Sequence, residues 1–270
     1  MVSNLSIFFM VISLIVSIFL PIGGIIYLKK KYKVKLKVFF IGMIVFFVAV
    51  QILEAPIHSY FLSFNKGTSN FLLNNPLAYM LYGGLMAGIF EETARLIAFK
   101  YLIKENDNLT GIAYGLGHGG IEAMLIGGIA SLNSIIYAIL INKGGFQTLM
   151  EGATVSKDVI DATYNHYINS SAFYWLAPGF ERVTAIIVHI SLSVLVIYAV
   201  KEKKYLYYFL AILIHATINF PAALYQVGVI TNILLLELLL MGLAVILALV
   251  IFNKIVKKSY KTSNDLENYL

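Results

Sequence analysis

The chain is a succession of apolar runs separated by short polar stretches. Runs long enough to span a bilayer occur at about 5–28, 38–56, 77–101, 110–141, 179–200, 205–226 and 229–252, each bounded by charges, Pro, Gly or Asn. The pattern predicts an all-α fold, a polytopic transmembrane helical bundle of about seven spans. At roughly 27 to 35 residues per span and its connection, a chain of 270 residues leaves no length for a separate soluble domain. Residues 1–270 therefore read as a single integral membrane domain. The longest connection, 142–178, is expected to hold an interfacial helix ahead of the aromatic group Phe173, Tyr174 and Trp175. From Lys257 onward the chain is polar and is expected to fray. No internal repeat is visible, so the inverted-repeat signature of many secondary transporters is not evident.

Charge fixes the expected orientation. Of the 20 basic residues, fifteen lysines fall in alternate connections: six from Lys29 to Lys37, then Lys100 and Lys104, then Lys201, Lys203 and Lys204, then Lys254, Lys257, Lys258 and Lys261. The other connections hold Lys66, Lys143 and Lys157. An odd number of spans with the amino terminus outside and the carboxyl terminus in the cytoplasm satisfies the positive-inside rule, and a multi-pass plasma-membrane protein follows. The net charge of +6 is then a property of cytoplasmic loops, and nucleic acid is discarded as a partner. With no cysteine there is no disulfide framework, thiolate zinc site or Cys nucleophile.

Ionisable side chains at membrane depth cost about 2.5 to 3.5 kcal/mol each on insertion scales, so a cluster of them needs a reason. Glu91, Glu92 and Arg95 lie in the third run, His118 and Glu122 in the fourth, Glu181, Arg182 and His189 in the fifth, and His215 and Asn219 in the sixth. Glu237, alone in the seventh, reads as a structural partner. At 1.5 Å rise per residue, Glu91, His118, His189 and His215 sit about 15, 12, 16 and 15 Å from the cytoplasmic ends of their helices. Four helices thus place a polar residue at one level. Glu91 and Arg95, His118 and Glu122, and His215 and Asn219 are each four apart, so each pair shares a helix face. Gly115, Gly117, Gly119 and Gly120 around His118 permit close helix approach and are expected to leave room for a substrate entering from the cytoplasm.

Several hydrolytic chemistries are absent. There is no H-E-x-x-H, no G-x-S-G-type serine motif, and the four Asp (Asp107, Asp158, Asp161, Asp265) lie outside the runs. What remains is Glu with His: Glu91 or Glu92 as a general base, and His215 with Asn219 as hydrogen-bond donors to an oxyanion. A proton-coupled transporter or channel using the same Glu and His residues as a relay is the competing class.

Glu91-Glu92-Thr93-Ala94-Arg95, then Tyr114 and His118 as aromatic-x-x-x-His, then His215-Ala216-Thr217-Ile218-Asn219 as H-x-x-x-N, resemble the CAAX-processing and bacteriocin-processing (CPBP) glutamic intramembrane proteases. Gly117-His118-Gly119-Gly120-Ile121-Glu122 and Glu181-Arg182 with His189 are similar to the YhfC-type membrane peptidases. The resemblance covers 77–226, which it marks as the catalytic core. It departs from the CPBP pattern in setting Arg95 four residues after the first Glu rather than five, and in having Tyr114 for Phe. It implies an intramembrane endopeptidase acting on a membrane-associated protein or peptide, with Glu91, Glu92, Arg95, His118, Glu122, His189, His215 and Asn219 in the site. No cofactor is needed if the mechanism is glutamic; in a metalloprotease His118, His189, His215 and Glu122 would hold Zn²⁺. Adjacent Glu91 and Glu92 beside Arg95 supply a base without a metal and favour the glutamic form.

Overall fold

The computed structural model describes residues 1–151 and 155–257. Ten helices account for the described fold, and no strand occurs among those residues. They are α1 (Asn4–Tyr32), α2 (Leu36–Phe64), α3 (Lys66–Asn74), α4 (Pro76–Ile97, continued by a wide turn over Ala98–Leu102), α5 (Asn108–Lys143), α6 (Phe146–Glu151), α7 (Lys157–Asn169), α8 (Ala172–Lys201), α9 (Leu206–Gln226) and α10 (Ile233–Val256). Six of them, α1, α2, α5, α8, α9 and α10, are long and apolar enough to cross a membrane. The seventh expected span is α4, whose apolar character is broken by Glu91, Glu92 and Arg95. The tail from residue 258 onward, expected to fray, lies outside the described residues, and so do Lys258 and Lys261 of the charge count.

Two boundaries differ from the sequence reading. The second span does not stop at residue 56. Pro56 has no N–H to donate, and the helix absorbs that loss in wider π-type turns over Phe47–Glu54 and Tyr60–Phe64. The chain therefore stays helical to Phe64, which keeps its backbone groups paired at membrane depth. The expected interfacial helix is two helices, α6 and α7, whose Phe146, Ile160 and Tyr167 pack with Val2, Met10 and Trp175 in a small second core.

The centre of the bundle is α8. Two thirds of its apolar window is buried (67%) against 22–28% for the other five apolar spans, so it is the one helix enclosed by its neighbours. It packs on α1, α5, α9 and α10, while α4 packs chiefly on α9 and α5 is held between α8 and α2. Glycines make these approaches possible. A Cβ on Gly115 would lie 2.5 Å from the Cα of Ile190 in α8, and one on Gly117 would lie 2.0 Å from the carbonyl oxygen of Phe39 in α2. Gly115 and Gly117 are thus met by neighbouring backbones, Gly119 by the side chain of His189 and Gly120 by that of Pro21. They do not leave the expected space for a substrate; their effect is to bring the histidine-bearing helices together.

Candidate active site

The polar residues of α4, α5, α8 and α9 meet at one level, as their common depth predicts. Glu91 is the hub: its Oε2 accepts from Nε2 of His118 at 2.8 Å and lies 3.9 Å from Nε2 of His189, and its Oε1 lies 3.8 Å from Nε2 of His215. The rings of His118 and His189 are 4.8 Å apart, and those of His189 and His215 5.4 Å. Glu92, one residue on, is fully buried and turns the other way. It receives Arg95 on both oxygens, and Nδ1 of His215 donates to its Oε1 at 2.7 Å. The second guanidinium nitrogen of Arg95 is 2.9 Å from Nδ1 of His189.

A second pair closes the ring. Oε2 of Glu122 lies 2.5 Å from Nε2 of His189, and its Oε1 accepts from Arg182 at 2.8 Å. Arg182 also pairs with Glu181 at 2.5 Å. Buried charges survive in a low dielectric only when paired and hydrogen-bonded. Both arginines of the protein serve that end here, which explains why they sit in helices rather than in loops.

These contacts fix the histidine tautomers. A guanidinium can only donate, so Nδ1 of His189 accepts and the neutral ring carries its proton on Nε2, toward Glu122. A carboxylate can only accept, so Nδ1 of His215 donates to Glu92, and in the neutral ring Nε2 is then a lone pair facing Glu91. The sequence reading made His215 an oxyanion donor, a role its Nε2 has only when both ring nitrogens carry a proton.

A cavity of about 450 Å³ reaches this cluster. Glu91, Glu122, Arg182 and Asn219 line its inner end, and Glu54, His58, Tyr79, Tyr82 and Gln226 its outer part. A recess of about 80 Å³ against His189, His215 and Asn219 adjoins it. Glu92, Arg95 and His118 line neither space and stand behind the residues that do. The cavity opens at the end of the bundle opposite the lysine-rich one through which access was expected. Its lining occupies the parts of α2, α4, α8 and α9 nearest the 65–75, 144–171 and 227–232 connections, the lysine-poor end of the bundle.

Tyr114 is fully buried with its ring 4.6 Å from that of Phe99, and its hydroxyl has no partner. Glu237 is buried on α10 and lines neither cavity. The sequence reading passed over Glu54 and His58. Their signal was a Glu and a His four residues apart at the end of an apolar run, one face of a helix that was taken to stop between them.

With the geometry set, similarity to known proteins decides the family. A model of the YhfC intramembrane metalloprotease family matches residues 16–240, which include every residue of the cluster. The chain belongs to that family. It is also 41% identical over 240 residues, 88% of this chain and 92% of its relative, to "Uncharacterized membrane protein YhfC" of Bacillus subtilis (strain 168). No solved structure matches it significantly. YhfC membership makes the chain a multi-pass intramembrane protease and raises the question of a metal.

The donor set fits one. Glu91, His189 and His215 each offer a ligand atom, all within 4.8 Å of one another, a group that shares His189 and His215 with the expected set, adds Glu91 and leaves out His118 and Glu122. The contact from Glu92 to Nδ1 of His215 is the carboxylate support that metal-ligating histidines use to free Nε2. His189 is the costly ligand. For its Nε2 to bind a metal, the proton directed at Glu122 must leave or Arg95 must give up Nδ1.

Proposed function

We propose that this YhfC protein hydrolyses a peptide bond of a membrane-associated protein or peptide with water activated at Glu91. The observation that carries the reading is one carboxylate within 4 Å of histidines from three other helices, exposed to a cavity on one side only. A water seated between Oε1 of Glu91 and Nε2 of His215, both acceptors 3.8 Å apart, donates one hydrogen to each and keeps a lone pair for the scissile carbonyl. Glu91 takes the water proton as the C–O bond forms and returns it to the leaving amine as the C–N bond breaks. His118 donates to the other oxygen of Glu91 and holds the carboxylate in place. Glu92, neutralised by Arg95, fixes the His215 tautomer. Asn219 lines the recess and carries the amide N–H that neutral His215 lacks on that side, so it is the oxyanion donor.

Glu91, His189 and His215 would hold a divalent metal, which would supply a Lewis acid and lower the pKa of a bound water. The supporting contacts from Glu92, Arg95 and Arg182 serve either form. The catalytic core is 77–226 extended by the part of α2 that walls the cavity.

Two experiments test this. Glu91→Gln should insert and fold yet lose about 100-fold to 10,000-fold in cleavage of a membrane-anchored reporter, the usual cost of a lost general base; metal content of the purified wild type separates the glutamic form from the metalloprotease. Full activity of Glu91→Gln overturns the assignment. For access, the lysine-rich end is read as cytoplasmic, so the cavity opens outward. A single Cys at Lys143 of this cysteine-free chain should then react with an impermeant reagent from outside and one at Lys31 should not; the reverse labelling puts the mouth in the cytoplasm.

A further inference from the structure

The outer part of the cavity contains a polar group that the hydrolytic centre does not use. Glu54 is 3% exposed on α2, and His58, one helical turn on, reaches it at 2.9 Å from Nε2 to Oε1. Nδ1 of His58 is 2.9 Å from the hydroxyl of Tyr82 on α4, whose ring lies edge-on to the imidazole at 5.3 Å. One assignment satisfies every donor in this chain: Tyr82 O–H to Nδ1, and Nε2–H to Oε1 of Glu54. It leaves Oε2 of Glu54 buried with no partner.

That oxygen needs a donor, and the protein supplies none. Four carboxylates, Glu54, Glu91, Glu122 and Glu181, line the cavity with a single guanidinium, Arg182, already engaged by Glu122 and Glu181. The cavity is therefore short of positive charge, most of all at Glu54. One free carboxylate oxygen is too small a donor set for a divalent metal, and Glu54 belongs to no metal-compatible group among the described residues. It suits a compact cation with its own N–H groups.

We infer that Glu54, clamped by His58 and Tyr82, is a subsite for a primary ammonium of the substrate, either a lysine side chain or the free amino terminus of the chain being cut. The inference rests on the peptide reading of the substrate. It also sets a distance. Tyr82 and Glu91 are nine residues apart on one helix, about 13 Å at 1.5 Å per residue. Glu54 lies one turn of α2 nearer to Glu91 than His58 does, which takes about 6 Å off that span; an extended peptide rises about 3.3 Å per residue, so an amino-terminal ammonium belongs about two residues from the bond that is cut.

Binding tests this without requiring cleavage. Full-length Glu91→Gln protein, in discs of zwitterionic lipid with empty discs subtracted, is titrated with three fluorescent apolar peptides of one sequence. The first has a free amino terminus and no lysine, the second an acetylated terminus and one lysine, the third an acetylated terminus and no lysine. One or both ammonium peptides should bind about 10-fold to 100-fold more tightly than the neutral one, as a charge-assisted hydrogen bond implies. Adding Glu54→Gln should abolish that advantage while leaving the neutral peptide unchanged, and Tyr82→Phe, which keeps the ring, should reduce it in part. Which peptide gains tells lysine from amino terminus. Equal binding of all three, no binding of any, or an advantage that survives Glu54→Gln overturns the subsite. Hydrolysis is judged separately, by cleavage with Glu91 intact.

Discussion

The buried cluster and the cavity wall in front of it are built on opposite principles. Around Glu91 and Glu92 the side chains are at most 8% exposed, and the carboxylates, histidines and guanidinium interlock across four helices. On the cavity wall, Glu181 is 41% exposed, His58 is 31% exposed, Asn219 has no side-chain partner among the described residues, and Glu54 keeps one oxygen unpaired. The difference teaches how the work is divided. The inner carboxylates Glu91 and Glu92 are engaged by their own neighbours and can hold reacting groups still, although Arg95 Nε and His118 Nδ1 stay buried without a partner behind them; the outer shell, on the cavity wall, has hydrogen-bonding capacity left for something that enters.

If that division is real, mutations should sort by it. The largest effect on stability is expected for Arg95→Ala, which leaves Glu92 as an uncompensated buried charge at a typical cost of about 3 to 5 kcal/mol. Glu181→Gln in the outer shell should stay within about 0.5 kcal/mol, as surface changes do. Thermal unfolding in detergent compares the two, and equal losses would dissolve the distinction. Asn219→Ala should sharpen it from the side of function: no loss of stability, but a fall of about 100-fold to 1,000-fold in kcat if Asn219 donates one oxyanion hydrogen bond. A change confined to KM would make Asn219 a substrate-binding residue instead of the oxyanion donor.

How much of this was legible in the sequence follows the same division. The depth of Glu91, His118, His189 and His215 could be computed because helix rise is fixed, and the structure brings their rings together. The rotation of each helix about its axis is not fixed by rise. Hence Glu91 and Glu92 could not be told apart, nor could Arg182 be assigned to Glu122, until packing placed one carboxylate on the cavity and the other behind it. The glycines around His118 were read correctly as permitting close approach, but which groups fill them depends on α1, α2 and α8, far away in sequence. Pro56 separated Glu54 from His58 by ending the apolar run between them, while the wider turns of α2 carry the helix past it. The direction of the cavity follows from all of these rotations together.

The central claim, hydrolysis by water activated at Glu91, is tested most directly by isotope. Wild-type protein in vesicles is given a membrane-anchored reporter in ¹⁸O-enriched water, with Glu91→Gln alongside, and the products are read by mass spectrometry. The account predicts two new termini from the wild type, the new carboxyl terminus carrying one ¹⁸O, and the loss of that product in Glu91→Gln. Cleavage that proceeds equally in both proteins, or a reporter left intact by a folded wild type, would contradict it.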